Sequence, residues 1–292
     1  MRILITGKNG QVGTELSRLY HSRQDVVLTG RDECDLSNEQ SIRDTVRRVK
    51  PAVILNAGAY TAVDQAEKEP GLCFAINAHA PRVLAEEAAR LDALLIHYST
   101  DYVFNGEKAE PYLETDPISP VNVYGESKAA GEAAIAESAT RFLVLRTSWV
   151  YGAHGKNFLR TMLRLGAERP ELRVVDDQLG APTSAAAIAS ATVRLVEQNP
   201  SGAWGIYHMT AAGSTSWCGF ARAIFQAGVL SSQPRVQPIA SADYPTPARR
   251  PANSVLSNDK FADAFGFRLL TWQQQLNEVL AGMQVETAMR AN

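Results

Sequence analysis

The sequence has few of the features that mark secreted, membrane-bound or nucleic-acid-binding proteins. Its 292 residues include only three cysteines, Cys34, Cys73 and Cys218. They are odd in number and far apart, which argues against a disulfide framework and predicts reduced thiols in a cytoplasmic protein. The formal net charge is −2, so no basic face for nucleic acid and no attraction to an anionic membrane is expected. No stretch approaches the roughly 18 apolar residues of a membrane span. The chain enters "MRILITG" without a charged segment leading into an apolar one, so no targeting peptide is expected. His21, His79, His97, His154 and His208 lack ligand spacing and read as packing or surface residues. Internal repeats and low-complexity tracts are absent.

With 45% hydrophobic and 21% charged residues, the chain suits a soluble globular protein with one large α/β domain and a smaller lobe. Short apolar runs at 2–6, 26–29, 52–56, 94–99 and 142–147 read as strands buried on both faces. Helical patterns at 11–22, 38–50, 72–91 and 121–138 separate them, with Asn38 as an N-cap and Pro51 closing its helix. This alternation predicts a Rossmann-like, doubly wound parallel sheet. After Thr147 the rhythm loosens. Helices are expected at 157–168, 184–198, 216–227, near 258–264 and at 271–288, with strands at 172–175 and 205–209. A loop at 231–253 carries five prolines. The expected layout is a dinucleotide domain over 1–148, with 173–200 returning to it, and a substrate lobe from 149–172 and 201–292.

"LITGKNGQVGTEL" places Gly7, Gly10 and Gly13 between the first strand and the first helix. Gly7 allows a tight turn, Gly10 close approach to a pyrophosphate, and Gly13 close helix–strand packing, with the helix N-terminus facing the phosphates. The second strand ends in Thr29, Gly30 and Arg31 rather than in an acidic residue. Arg31 can clamp a 2′-phosphate with help from Lys8, which predicts NADPH; alternatively Asp32 takes a free hydroxyl.

"HYSTDYVF" puts Ser99, Thr100 and Asp101 at the ligand edge of the fourth strand. "NVYGESKAAGE" then stacks Tyr124 and Lys128 on one helix face. Together these suit carbonyl reduction: a hydride transfer forms an alkoxide that an acid must protonate. Lys128 is expected to pull the Tyr124 pKa down from near 10, and Thr100 to hydrogen-bond the oxyanion. Trp149 follows the fifth strand, where an indole can cover a deoxysugar's apolar face.

The glycine spacing and Y-x-x-x-K resemble the extended short-chain dehydrogenase/reductase superfamily. Longer strings ("NAGAYTAVDQAE", "RTSWVYG", "DDQLGAPTS", "YPTPARRPANS") resemble its dTDP-4-dehydrorhamnose reductase family over about residues 1 to 280. The resemblance implies reduction of a nucleotide sugar's C4 ketone with NADPH, or with NADH, and admits a homodimer. It implies that Gly10, Gln11 and Val12 meet the pyrophosphate, Asp35 and Leu36 the adenine, and Ala59, Tyr60 and Thr61 the rest of the cofactor. Tyr98, Tyr124 and Lys128 would surround the nicotinamide, and Thr100, Asp101 and Trp149 the sugar.

Some relatives carry magnesium on glutamates at a dimer interface. Glu15 matches one of these, but "AAAIAS" after "GAPTS" has no carboxylate, so no metal is expected. An epimerase, a dehydratase and a non-catalytic NADP-binding subunit are the rival readings. Tyr102 after Asp101 argues against the acid/base pair of a dehydratase, and Arg249 and Arg250, placed to reach a diphosphate, favour an enzyme over a binding subunit.

Overall fold

The computed structural model of the protein describes residues 1–199, 202–228, 230 and 233–291. Positions 200, 201, 229, 231, 232 and 292, which fall in or beside the expected lobe, lie outside the described residues.

The first half runs β1 (Ile3–Thr6), α1 (Gln11–Leu19), β2 (Val26–Thr29), α2 (Glu39–Val49) and β3 (Val53–Asn56). Next come α3 (Val63–Ala66), α4 (Pro70–Phe74), a π-helical turn (Ala75–His79) and α5 (Ala80–Arg90). They are followed by β4 (Leu94–Thr100), α6 (Val123–Ser138), β5 (Phe142–Thr147) and β6 (Val150–Tyr151). The second half holds α7 (Phe158–Glu168), β7 (Glu171–Val175), β8 (Leu179–Gly180), β9 (Thr183–Ser184) and α8 (Ala185–Gln198). It continues with β10 (Gly205–His208), β11 (Thr215–Ser216), α9 (Trp217–Gln226), β12 (Arg235–Ile239), α10 (Asp259–Phe265) and α11 (Trp272–Ala291). Among the described residues no helix is long and apolar enough to cross a membrane.

The main sheet has six strands, ordered β10-β5-β4-β3-β1-β2, and every pairing is parallel. Its strands are covered on both faces, as their unbroken apolar runs require. One face carries Ile3, Ile5, Ile96 and Leu145 against Leu16 of α1 and Ile188 of α8; the other carries Leu4, Ile54 and Leu95 against Ile42, Val83 and Ile135. Each such fully buried side chain contributes roughly 1.5–3 kcal/mol. Asn38 caps α2 by accepting from Ser41 N at 3.1 Å, and the helix ends at Lys50 in the left-handed conformation, one residue before Pro51.

The smaller lobe has a separate core, in which Leu159, Leu172, Phe220, Ile224 and Leu276 pack together. Its boundaries differ from those expected. Residues 205–208 join the main sheet beside β5, and β7 leaves it to pair with β12. β12 lies inside the expected proline-rich loop; Pro238 is tolerated because a two-stranded ribbon leaves an edge free of ladder bonds. The helix expected over 72–91 is divided. Pro81 has no N–H to offer the Asn77 carbonyl, and the chain widens there into the π turn. Gly131 of α6 packs on that carbonyl, where a Cβ would sit only 2.1 Å from the oxygen.

Candidate active site

The carboxyl ends of β1, β3, β4 and β5 form one edge, with the reversal of strand order between β1 and β3. A doubly wound sheet binds its ligand at such a crevice. Gly7 has φ +71°, and a Cβ there would lie 2.5 Å from Gly58 Cα. A Cβ on Gly13 would lie 2.0 Å from Gly7 O, so bare glycine lets α1 start against the loop. Gly10 caps α1 without a side-chain bond, which leaves the first-turn N–H groups available to an anion. These features fit a dinucleotide pyrophosphate.

The residues implied along the cofactor sit around this loop in different ways. Leu36 reaches over Gly58, and Asp35 is kept below its usual pKa by the Ser37 N–H and hydroxyl. Gln11 ties the loop to the lobe through Val150 O and Asn157, and Val12 packs on the core. Ala59 and Thr61 are exposed, whereas Tyr60 is held by Asn77 and Glu69. Tyr98 points its hydroxyl at Thr192, 2.8 Å away, so only its carbonyl meets Lys128. Arg31 and Asp32 are both exposed; the carboxylate folded over the end of β2 belongs to Glu33.

Tyr124, Lys128 and Glu132 recur every four residues on the face of α6 that meets β4. Strand alternation turns His97 and Ser99 toward that face. Lys128 Nζ donates to Tyr98 O at 2.6 Å and lies 3.1 Å from His97 Nε2. His97 Nδ1 is 2.9 Å from the Asn56 amide, whose Oδ1 accepts from Thr6 Oγ1 at 2.6 Å. His97 is thus a partner of Lys128 rather than simple packing, and burial holds its pKa well below the usual histidine value. Below this row, Glu132 takes Ser99 Oγ and a bidentate Arg146 from β5, at 2.9 and 2.6 Å.

The expected electrostatics of Tyr124 require correction. Burial pushes its phenol up rather than down, and the hydrogen bond with Thr100 only partly opposes this. Lys128 does not lower it, because its ammonium is committed to Tyr98 O and His97 and is itself pushed down to about 8 by burial. The phenol therefore stays protonated at neutral pH, as a proton donor must.

Thr100 Oγ1 donates to Asp101 Oδ1 at 3.0 Å, while Asp101 Oδ2 is buried with no partner. Ser148 and Ser254 lie near it but donate to Ala181 O and Leu179 O. Burial raises the Asp101 carboxyl to about 6. A raised carboxyl favours the folded state below about pH 4 and loses that contribution as pH rises through 6. Asp101→Asn is therefore expected to stabilise the fold by about 2–3 kcal/mol above pH 7, with the gain vanishing near pH 4. Urea midpoints at the two pH values measure this; an equal gain at both would rule out the buried charge as its cause.

Trp149 has φ +47° and stacks on Trp217 with centroids 3.5 Å apart and planes 4° apart. Gly180 makes room: a Cβ there would lie 2.4 Å from Trp149 Cε2. The β8–β11 ladder carries Trp217, the first residue of α9, to this position; the sequence analysis did not single it out, because a pairing of two-residue strands leaves no pattern along the chain. Beyond Trp217 the lobe holds a cavity of about 750 Å³, lined by Phe158, Met162, Val174, Tyr244 and Arg250. Trp217 lines this cavity, and Tyr124 does not. Arg250 Nη2 donates to Asp64 at 2.9 Å, and its Nη1 is buried without a partner; Arg249 is exposed.

Residues 1–285 match the family model described as RmlD substrate binding domain. A dTDP-4-dehydrorhamnose reductase from Burkholderia thailandensis is 49% identical over 285 residues, covering 94% of this chain and 96% of the relative. The Escherichia coli K12 protein of the same name is 43% identical, covering 99% and 100%. The crystal structure of the Bacillus anthracis dTDP-4-dehydrorhamnose reductase in complex with NADP superposes with a TM-score of 0.91 at 36% identity, covering 96% of this chain and 99% of that one.

Proposed function

The chain belongs to the family described as RmlD substrate binding domain, and from that premise we propose that it is an NADPH-dependent reductase of the C4 ketone of dTDP-4-dehydro-β-L-rhamnose, yielding dTDP-L-rhamnose. The observation that carries this reading is the half-buried, protonated Tyr124 beside Thr100, on the same sheet edge as the glycine loop.

Gly7, Gly10 and Gly13 with the start of α1 would hold the coenzyme pyrophosphate, and Lys128 its nicotinamide ribose. Bound there, the reduced nicotinamide supplies the hydride that the carbonyl carbon accepts. Thr100 turns its hydroxyl proton from Asp101 Oδ1 to the carbonyl oxygen as negative charge gathers there. Tyr124 transfers its phenolic proton to that oxygen. The phenolate left behind regains a proton from water. The orphaned Asp101 Oδ2 accepts a sugar hydroxyl, which removes an otherwise unsatisfied buried acceptor. Trp149 and Trp217 wall the sugar, and the unpartnered Nη1 of Arg250 meets the diphosphate where the lobe cavity receives the nucleotide.

Residues 1–148 with α8 would then form the coenzyme half, and the lobe the substrate half. A dehydratase would need a further acid beside Thr100; Tyr102 instead packs edge-on to Tyr124 with centroids 5.9 Å apart. Mixing the protein with NADPH and dTDP-4-dehydro-β-L-rhamnose should oxidise one NADPH per dTDP-rhamnose formed, followed by reduced-nicotinamide absorbance and chromatography. Coenzyme binding without consumption would instead establish a binding subunit.

A further inference from the structure

Residues 241–252 form a strap along the lobe cavity, which Asp243, Tyr244, Thr246 and Arg250 help to line. Both ends of the strap are fixed within the lobe. Ser241 N and Oγ donate to Asp177 at 2.9 and 2.6 Å, and Leu179 N donates to Ala252 O at 2.8 Å. Its middle crosses to the coenzyme half. Ala248 N and Arg250 Nη2 donate to the two carboxylate oxygens of Asp64, at 3.2 and 2.9 Å. A third crossing bond comes from Asn122, at the start of the helix that carries Tyr124: its Nδ2 donates to Arg249 O at 2.7 Å. Asn122 is buried, and its Oδ1 accepts from Gly125 N at 2.8 Å, which caps α6. A backbone N–H can only donate and a carbonyl can only accept, so these two partners fix which way the amide faces. One side chain thus caps the helix and holds the strap. Capping alone does not call for asparagine, because serine and aspartate cap about as well. Aspartate, however, has no hydrogen to give the strap, and serine has a single polar atom.

We propose that Asn122 is a positioning residue that sets the diphosphate-binding end of the site against the proton-donating end. Tyr124 lies two residues beyond Asn122, and Arg250 one residue beyond Arg249, so a single hydrogen bond joins acid to guanidinium over a short path. Asp64 holds Nη2 of Arg250, Asn122 holds the carbonyl just before it, and Nη1 is buried without a partner. The guanidinium is therefore in place before a ligand arrives, which lowers the ordering cost of binding. A nucleoside diphosphate gripped by Nη1 then presents its sugar at a set distance from the Tyr124 phenol. The proposal rests on the reading above for the nucleoside diphosphate itself; what it adds is the residue that relates the two ends of that ligand.

The test compares the full-length parent with Asn122→Ser, which keeps a cap but gives up the strap, and Asn122→Ala, which gives up both. Each is titrated with dTDP and, separately, with NADPH, and unfolded in urea. Both variants should bind dTDP about fivefold more weakly, as the loss of one hydrogen bond requires, with the NADPH constant within about twofold of the parent. Only Asn122→Ala should unfold at a lower urea concentration. With the nucleotide sugar, Asn122→Ser should lower kcat/KM by more than its loss of dTDP affinity, because the carbonyl is then also misplaced against Tyr124. Three results would overturn the positioning role and leave the reductase reading standing. They are dTDP binding by Asn122→Ser within about twofold of the parent, NADPH binding weakened as much as dTDP binding, and kcat/KM falling no further than dTDP affinity. Failure of the parent to bind dTDP would overturn both.

Discussion

Replacing Tyr124 with Phe is expected to lower kcat by about 10²–10⁴-fold while the NADPH dissociation constant changes by less than about threefold. The substitution removes one hydroxyl and keeps the ring. The edge-on contact with Tyr102 and the N-capped start of α6, where Asn122 accepts from Gly125 N at 2.8 Å, remain intact. What is lost is the phenolic proton held beside Thr100 at the ligand edge. Loss of the general acid strands negative charge on the former carbonyl oxygen, a cost that falls on the transition state rather than on coenzyme binding. Stopped-flow turnover and equilibrium titration of the same preparation separate the two effects. Turnover within threefold of the parent would remove Tyr124 from the chemistry and turn attention to Lys128 or to water.

The second large effect concerns the pair beneath the site. Glu132 and Arg146 are each 1% exposed, and the carboxylate also receives Ser99 Oγ. Arg146 in turn lies over Phe104, 5.1 Å from its ring, and 3.3 Å from His208 Nε2. Glu132→Leu leaves a guanidinium in the interior without its counter-ion and should cost about 3–5 kcal/mol of unfolding free energy. Adding Arg146→Met should recover most of that loss, because the penalty comes from the uncompensated charge and not from lost packing. Urea unfolding of both variants measures the difference. A double variant as unstable as the single one would show that shape, rather than charge, makes this cluster necessary. The pair anchors the end of β4, so the stability of Thr100's position rests on it.

How much of this was legible in the sequence depended on distance along the chain. Gly7, Gly10 and Gly13 could be read because glycine tolerance is local, and φ +71° at Gly7 follows from the turn itself. Tyr124 and Lys128 could be placed together because four residues on a helix fix a common face. Lys128's partner could not: His97 is 31 residues away and meets it only through strand alternation. The error over the Tyr124 pKa follows from the same gap, since a helix pattern places an ammonium near a phenol without saying where that ammonium donates. Glu33 was hidden for a similar reason, because the turn that folds it back onto Gly30 is invisible in "RDECDLS". Trp217 went unread, because only the short β8–β11 ladder sets it on Trp149. In the fold, β12 was masked by its polar residues and Pro238, whereas the strand at 205–209 was legible but its pairing with β5 was not.

The most direct test is to follow the hydride itself. NADPH carrying deuterium on the transferable face of the nicotinamide C4 would be supplied with dTDP-4-dehydro-β-L-rhamnose, and the product examined by mass spectrometry and NMR. One deuterium at C4 of a rhamnose product is the expected result. Its loss in the Tyr124→Phe protein would join the hydride step to the proposed acid. A deuterium-free product, an epimerised sugar with the coenzyme unconsumed, or label at another carbon would contradict reduction of the C4 ketone at this site.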